Sequence, residues 1–182
     1  GFFGRRIKKN RSGANAGGKT VCLKTLGIAV LMALTGLPVP ADEGSVMPLW
    51  SDVFVFIGDE QSLDDNVSTF TAQITQLARV WPQINSNVLV ILDEFGAGTD
   101  PSQGAALAQA VIDELLAKGG WVAAATHFPA LKAYALSAPG IRAASVLFDP
   151  TTKKPMYSLA YDQVGTSLAL DVAREHGLPK EI

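Results

Sequence analysis

Blocks of apolar residues, separated by short polar stretches rich in Gly and Pro, run along most of the chain and predict an alternation of helices and strands. Residues 19–35 are apolar at nearly every position around a helix, which is typical of a helix buried against a sheet. Gly36 and Pro38 end this helix. Three shorter apolar runs bounded by turn residues predict buried strands: 52–57, 88–92 and 121–126.

The remaining pattern predicts further helices and a hairpin. Ser68 and Thr69 are typical of an N-cap, opening a helix that runs to about Val80. Three more helices and two hairpin strands are predicted: helices 103–116, 129–136 and 167–176, and strands 144–148 and 155–160. Alternating strands and helices indicate an α/β fold with a mostly parallel sheet flanked by helices, and 182 residues suit one domain.

The first twelve residues depart from this pattern. They carry no acidic side chain, and their basic ones are Arg5, Arg6, Lys8, Lys9 and Arg11. The rest of the chain has 10 basic and 17 acidic side chains, a net charge of −7, against −2 for the whole. A basic arm suits contact with nucleic acid, but a solvated tail explains the composition equally well. Such a segment cannot form a buried parallel strand.

A glycine-rich stretch follows the basic segment and matches the phosphate-loop pattern G-x-x-x-x-G-K-[ST]. Its residues are Gly13, Ala14, Asn15, Ala16, Gly17, Gly18, Lys19 and Thr20. Glycines let successive N–H groups point at a phosphate, and the following helix presents the positive end of its dipole to the same anion. Lys19 then suits the β- and γ-phosphates of ATP, and the Thr20 hydroxyl suits Mg²⁺.

Two features of this stretch leave alternatives open. A Gly-rich turn before an ordinary helix has the same composition. A phosphate loop also normally follows a buried hydrophobic strand, which residues 1–12 do not provide. We therefore expect a poorly anchored loop and weak affinity for nucleotide.

The strand 88–92 delivers two carboxylates, Asp93 and Glu94, to its carboxyl end. Ligands bind at that edge in open α/β sheets. There Asp93 suits Mg²⁺, directly or through water, and Glu94 suits orienting or deprotonating an attacking water. His127 follows the next strand and suits hydrogen bonding to a γ-phosphate. Residues 59–61 end another strand and could face the same edge. The alternatives are a loop-capping pair for Asp93 and Glu94 and a satisfied edge histidine for His127.

Composition bounds the setting of the protein. Cys22 is the one cysteine, so no internal disulfide forms and a reducing cytoplasmic compartment is expected. We expect no membrane span, because Lys24 interrupts the longest apolar run, and no signal peptide. The three tryptophans, Trp50, Trp81 and Trp121, are expected in packing rather than in base stacking.

The motifs in combination resemble the ATPase domain of MutS proteins. The resemblance rests on stretches 13–20, 57–62, 68–70, 92–101 and 125–128 and extends from about Gly13 to Ile182. Gly-Asp-Glu-Gln-Ser at 58–62 and Gly-Thr-Asp-Pro at 98–101 are similar to the second bacterial branch, whose members usually end in an Smr nuclease domain. Ala14 stands where the family usually has Pro, and residues 1–12 stand where it has an apolar strand.

The resemblance implies an ABC-type ATPase, a homodimer joined head to tail through this domain, with ATP and Mg²⁺ as cofactors. It implies that Asn15 helps sense the γ-phosphate and that His127 is a switch histidine. It also implies that Ser68 reaches the partner's γ-phosphate and that Thr99 and Asp100 cross the dimer interface. DNA or the ribosome would be bound by regions outside this chain.

Three functions therefore remain in competition. The first is the ATPase motor of a MutS-like protein acting in DNA repair, suppression of recombination or splitting of stalled ribosomes. The second is another ABC-class ATPase, although the chain has no Leu-Ser-Gly-Gly-Gln signature. The third is a nucleotide-dependent dimerisation module with impaired catalysis, which the unusual residues 1–12 favour and intact Lys19, Asp93 and Glu94 oppose.

Overall fold

A computed structural model describes residues 2–3, 18–57, 66–149, 152 and 155–162. The strands are β1 (Phe2–Phe3), β2 (Asp52–Ile57), β3 (Val88–Asp93), β4 (Trp121–Ala125), β5 (Ala144–Phe148) and β6 (Pro155–Tyr161). The helices are α1 (Gly18–Leu34), α2 (Asn66–Val80), α3 (Pro101–Ala117) and α4 (Pro129–Ser137), with a 3-10 turn at Trp81–Gln83. The predicted helix 167–176 lies outside the described residues.

The strands form one mixed sheet in the order β2-β3-β4-β1-β5-β6. Strands β2, β3 and β4 run parallel, so their carboxyl ends lie at the same edge. β1 is antiparallel to β4 and β5, and β5 and β6 form the predicted antiparallel hairpin. The prediction of a mostly parallel sheet is therefore correct only for the three strands β2, β3 and β4.

Helices cover both faces of the sheet, and β3 shows why. Its six residues are all buried, because alternate side chains point to opposite faces and each face meets a helix layer. Val88, Val90 and Leu92 join the core that contains α2, α3 and α4, whereas Leu89 and Ile91 join the core that contains α1.

The structure corrects the predicted burial of two elements. In α1, Leu23 and Val30 are buried, but Val21, Ile28 and Leu31 are about half exposed. The helix was expected to be buried all round, yet within the described residues only one of its faces meets the sheet. β2 was expected to be a buried strand, but it occupies the edge of the sheet, and Val55 is 43% exposed.

Residues 1–12 include the two-residue strand β1, which is antiparallel to both neighbours, so the prediction that this segment provides no buried parallel strand is not contradicted. The predicted start of one helix is corrected. Helix α2 begins at Asn66, so Ser68 lies in its first turn instead of being its N-cap. The tryptophans pack as expected. Trp50 is 2% exposed, and its ring meets that of Trp121 edge to face, with 5.7 Å between the ring centroids. In the described part of the chain, no helix has the length and apolar character needed to cross a membrane.

Candidate nucleotide-hydrolysis site

Three chain segments meet at the carboxyl edge of the parallel strands. The first turn of α1 brings Lys19 and Thr20, the end of β3 brings Asp93 and Glu94, and the end of β4 brings His127. Their side chains contact one another across 33 to 75 residues of sequence. The structure thus brings together the side chains of five residues that the sequence predicted for ATP and Mg²⁺ chemistry.

Glu94 lies at the centre of this cluster. Its Oε1 accepts a hydrogen bond from Lys19 Nζ at 2.7 Å, and its Oε2 accepts one from the His127 backbone N–H at 3.1 Å. The His127 ring Nδ1 also contacts Oε2, and with an ionised carboxylate this requires a proton on Nδ1. Lys19 is 15% exposed and Glu94 33%, so the ion pair is partly shielded from water.

Burial and the neighbouring charges shift the pKa of Glu94 in opposite directions. Burial alone would raise the pKa of Glu94, but the hydrogen bonds and charges of Lys19 and His127 hold this pKa below its ordinary value. Glu94 is therefore ionised at neutral pH, with both oxygens engaged by donors.

Asp93 has a different environment from its neighbour. Its Oδ2 accepts a hydrogen bond from the Thr20 hydroxyl, and the residue is 3% exposed. Its Oδ1 is buried and has no hydrogen-bond donor among the described residues. Burial raises the pKa of Asp93 above its ordinary value, and the charge of Glu94 acts in the same direction, against the hydrogen bond from Thr20.

An orphaned carboxylate oxygen beside a threonine hydroxyl fits a magnesium ion. Mg²⁺ prefers oxygen ligands and is commonly held by one or two protein groups together with waters and phosphate oxygens. The described residues contain no cluster of three or more His, Cys, Asp or Glu side chains suited to a metal. Asp93 Oδ1 and the Thr20 hydroxyl are the two oxygens that would hold such an ion.

The backbone at Glu94 is unusual for a residue with a side chain. Its φ is 50°, in the left-handed region that mainly glycine adopts. The strand pairing continues through it, since its N–H donates to the Ala125 carbonyl at 2.9 Å, and its own carbonyl accepts from Ala97 N–H at 3.0 Å. Strained backbone of this kind persists where surrounding contacts determine it, and it clusters at functional sites.

Several predicted site residues have other outcomes. Gly13, Ala14, Asn15, Ala16 and Gly17 lie outside the described residues, as do positions 59–61. Gly18 is buried as the first residue of α1. The side chain of Ser68 also lies outside the described part.

The loop residues predicted to cross a dimer interface lie beyond β3. Asp100 caps its own helix: its Oδ1 accepts from the N–H groups of Ser102 and Gln103, both at 3.0 Å. Thr99 is half-buried beside it. The structure therefore gives Asp100 a role within its own chain, and the predicted role in a partner contact stays a prediction.

Sequence reasoning missed two contributors to this site. Thr126, between β4 and His127, is a buried polar residue whose carbonyl oxygen is 3.5 Å from Lys19 Nζ. Gly104 in α3 touches the loop that follows Glu94. A Thr beside a predicted site His was a usable signal, whereas an interior helix Gly has no local pattern that reveals its neighbour.

Comparison with known proteins gives a consistent family. A sequence model described as MutS domain V matches residues 11–182. The chain is 72% identical to Endonuclease MutS2 of Solidesulfovibrio magneticus, 46% to Endonuclease MutS2 of Aquifex aeolicus and 46% to Putative endonuclease MutS2 of Bacillus subtilis. Each match covers 94% of this chain and 22% of the relative, so the chain spans about a fifth of their length.

Proposed function

The chain belongs to the MutS family as a domain V of the MutS2 kind, and from this premise we propose that it is an ATP-binding and ATP-hydrolysing motor domain. The proposed fold is that of a P-loop ATPase of the ABC type. The observation that carries the proposal is the convergence of Lys19, Thr20, Asp93, Glu94 and His127 at one edge of the parallel sheet.

Binding of ATP would change the partner of the Lys19 side chain. The start of a helix offers N–H groups and a positive dipole to phosphate, and Lys19 in the first turn of α1 adds its charge. In the structure that charge is paired with Glu94 at 2.7 Å. A γ-phosphate would compete with Glu94 for Lys19, so binding of ATP would release Glu94 from one of its donors.

Mg²⁺ would be held by the pair Thr20 and Asp93. The orphaned Oδ1 of Asp93 supports this, because a buried carboxylate oxygen without a donor is costly unless a cation occupies its free side. When bound, the ion would neutralise charge on the β- and γ-phosphates.

Glu94 and His127 would act on the hydrolytic water. A carboxylate within hydrogen-bond reach of that water takes up its proton as the oxygen attacks phosphorus. The His127 N–H holds Oε2 of this carboxylate at the edge where the phosphates would lie, and it would keep this contact when ATP takes Lys19 from Glu94. His127, whose side chain is 58% exposed, would sense the γ-phosphate with its ring.

The action of the whole protein is proposed from its relatives. The relatives above are named endonucleases, which supports a longer protein that acts on nucleic acid. We propose that this action is DNA repair, suppression of recombination or splitting of stalled ribosomes. In this proposal the domain forms a head-to-tail homodimer, and regions outside this chain bind DNA or the ribosome. Cys22 is the one cysteine of the chain and is buried, which supports a reducing cytoplasmic setting.

ATP turnover tests the proposed hydrolysis. Lys19→Ala should weaken ATP binding, because it removes the phosphate's charge partner. Glu94→Gln should bind ATP but lose about a hundredfold or more in kcat, since an amide cannot accept the proton. Binding is measured by calorimetry and turnover by phosphate release.

Lys118 and Glu114 lie at the C-terminal end of α3, opposite to its N-cap Asp100. Lys118→Ala and Glu114→Gln are therefore matched controls. Each should behave as the parent. If Glu94→Gln hydrolyses ATP at the parental rate, the assignment of the base is wrong. If the parent binds ATP and never turns it over, the dimerisation module replaces the motor.

A further inference from the structure

Thr126 joins the end of β4 to His127 and is one of three buried polar side chains among the described residues. It is 2% exposed, whereas the His127 side chain beside it is 58% exposed. A buried hydroxyl needs hydrogen-bond partners, and the partners it takes determine the local backbone.

The Thr126 hydroxyl closes a tight turn around His127. Its Oγ1 accepts the Phe128 backbone N–H at 3.0 Å, two residues further along the chain. A Ser or Thr side chain that bonds the N–H two residues on stabilises a turn at the residue between. The Phe128 side chain is 3% exposed within the core, so the far end of the turn is also anchored.

The turn orients both peptide units that flank His127. The unit before it directs the His127 N–H to Glu94 Oε2 at 3.1 Å and the Thr126 carbonyl to Lys19 Nζ at 3.5 Å. The unit after it carries the Phe128 N–H that the hydroxyl accepts. The hydroxyl thus lies next to one donor to Glu94, the His127 N–H, and one acceptor from Lys19, the Thr126 carbonyl.

We propose that Thr126 is a positioning residue that holds His127 against Glu94 through the hydroxyl bond to Phe128 N–H. Its kinetic consequence rests on the proposed ATP hydrolysis, but the geometry does not. Loss of the hydroxyl leaves the buried Phe128 N–H without its acceptor and frees the turn to rotate. His127 N–H then leaves Glu94 Oε2, and the carboxylate loses one of the groups that aim it.

Amide hydrogen exchange tests the geometry in the full chain without nucleotide. Thr126→Val removes the hydroxyl at nearly constant volume, and Thr126→Ser keeps it. In the valine variant the amides of both Phe128 and His127 should exchange about tenfold faster, and in the serine variant both should return to parental rates. Thr75→Val is the matched control, because it removes an exposed hydroxyl that bonds the Thr71 carbonyl in α2.

Steady-state ATP hydrolysis tests the consequence. Thr126→Val should lower kcat about tenfold with KM nearly unchanged, since a misaimed Glu94 affects the chemical step more than binding. Thr126→Ser should restore kcat, and Thr75→Val should leave it unaltered. If the valine variant does not fold, Thr126→Ala removes the hydroxyl without adding volume and takes its place in both measurements.

Amide exchange and ATP turnover together distinguish the positioning role of Thr126 from the proposed ATP hydrolysis. Faster exchange at Phe128 alone, with His127 protected as in the parent, would overturn the proposal, because the hydroxyl would then serve only its own turn. Unchanged kcat despite faster exchange at His127 would overturn the positioning role as well. A parent without ATP turnover would contradict the proposed function, and exchange at His127 would still decide the role of Thr126.

Discussion

Asp93 and Glu94 are adjacent carboxylates with opposite effects on stability. Glu94 has a pKa below its ordinary value, because Lys19 and His127 stabilise its charge more than burial opposes it. Asp93 has a pKa above its ordinary value, chiefly because of burial. A charge whose pKa is lowered by folding stabilises the folded state above that pKa, and one whose pKa is raised destabilises it.

Neutralising the two residues should therefore shift the free energy of unfolding in opposite directions. Asp93→Asn should raise the melting temperature by a few degrees, at roughly 2–4 °C per kcal/mol for a chain of this size, because it removes a buried charge. Glu94→Gln should lower it, because Lys19 loses its partner. Thermal unfolding is measured at pH 7 without nucleotide or Mg²⁺.

The two changes in melting temperature should depend on pH. The increase in melting temperature of Asp93→Asn should become smaller as pH falls toward 3.8, the ordinary pKa of the carboxyl group. Asp93 then becomes protonated in the parent protein as well. The loss in Glu94→Gln should disappear as pH falls through the lowered pKa of Glu94, below 4.5. Asp42→Asn and Glu114→Gln are the controls. If Asp93→Asn instead lowers the melting temperature at pH 7, the surroundings of Asp93 stabilise its charge, and the expected effect of burial is wrong.

At the scale of elements, the loop between β3 and α3 positions Glu94. Gly96 in this loop has a φ of 87°, and a Cβ built on it would lie 2.6 Å from the Gly104 carbonyl oxygen. A Cβ on Gly104 would lie 2.2 Å from the Gly96 carbonyl oxygen. The loop and the first turn of α3 thus meet backbone to backbone, which only glycine permits on either side.

Gly104→Ala should disturb both stability and turnover. Alanine favours a helix by about 1 kcal/mol over glycine, but here its methyl collides with backbone that cannot rotate away. We expect a net loss of about 1–3 kcal/mol in the free energy of unfolding, as for other overpacked sites, and a fall in kcat as the loop displaces Glu94. Chemical denaturation and ATP turnover are the measurements.

Gly27→Ala in α1 is the matched control. Its Cβ would meet the tip of the Ile91 side chain at 3.3 Å rather than backbone, and that tip can shift by a few tenths of an ångström. This variant should cost less stability and keep its turnover. Equal effects of the two alanines on turnover would contradict a specific role for the Gly96–Gly104 contact.

At the scale of the whole molecule, we propose that the site is completed by a second chain. Ser68 lies in the first turn of α2, where the helix dipole favours an anion, whereas α1 already offers its own start to the phosphates beside Lys19. A head-to-tail two-fold dimer would bring each Ser68 to the other chain's nucleotide.

Mixing two inactive variants tests this arrangement. In a form of the protein shown to dimerise, Lys19→Ala chains are combined with an equal amount of Ser68→Ala chains. If Ser68 acts on the partner's nucleotide, each mixed dimer has one site with both lesions and one intact site. Random pairing should then restore about a quarter of the parental turnover.

A second mixture provides the control. Lys19 and Glu94 contact each other within one chain, so Lys19→Ala mixed with Glu94→Gln leaves a lesion in every site. This mixture should stay inactive. Absence of recovery in the Ser68 mixture, with mixed dimers demonstrated, would leave Ser68 a role only within its own helix.

The sequence determined the local elements and the chemistry available at the ends of β3 and β4. An apolar run of five residues followed by two carboxylates is typical of a buried strand, and strand β3 begins at Val88 as predicted and ends at Asp93, one residue beyond the run. Helices α1 and α4 likewise match to within one residue at each end. These features depend on residue types and their spacing, which are local.

Tertiary structure decided what depends on neighbours far along the chain. The half-exposed face of α1 and the edge position of β2 follow from which strands pair with which, and apolar content alone does not reveal that. The partners of Glu94 come from residues 33 and 75 positions away, and their meeting lowers the pKa of Glu94, whereas burial raises the pKa of Asp93. Thr126 and Gly104 act through contacts that only the folded backbone creates, because hydrogen bonds and close packing depend on distance in space rather than on order in sequence.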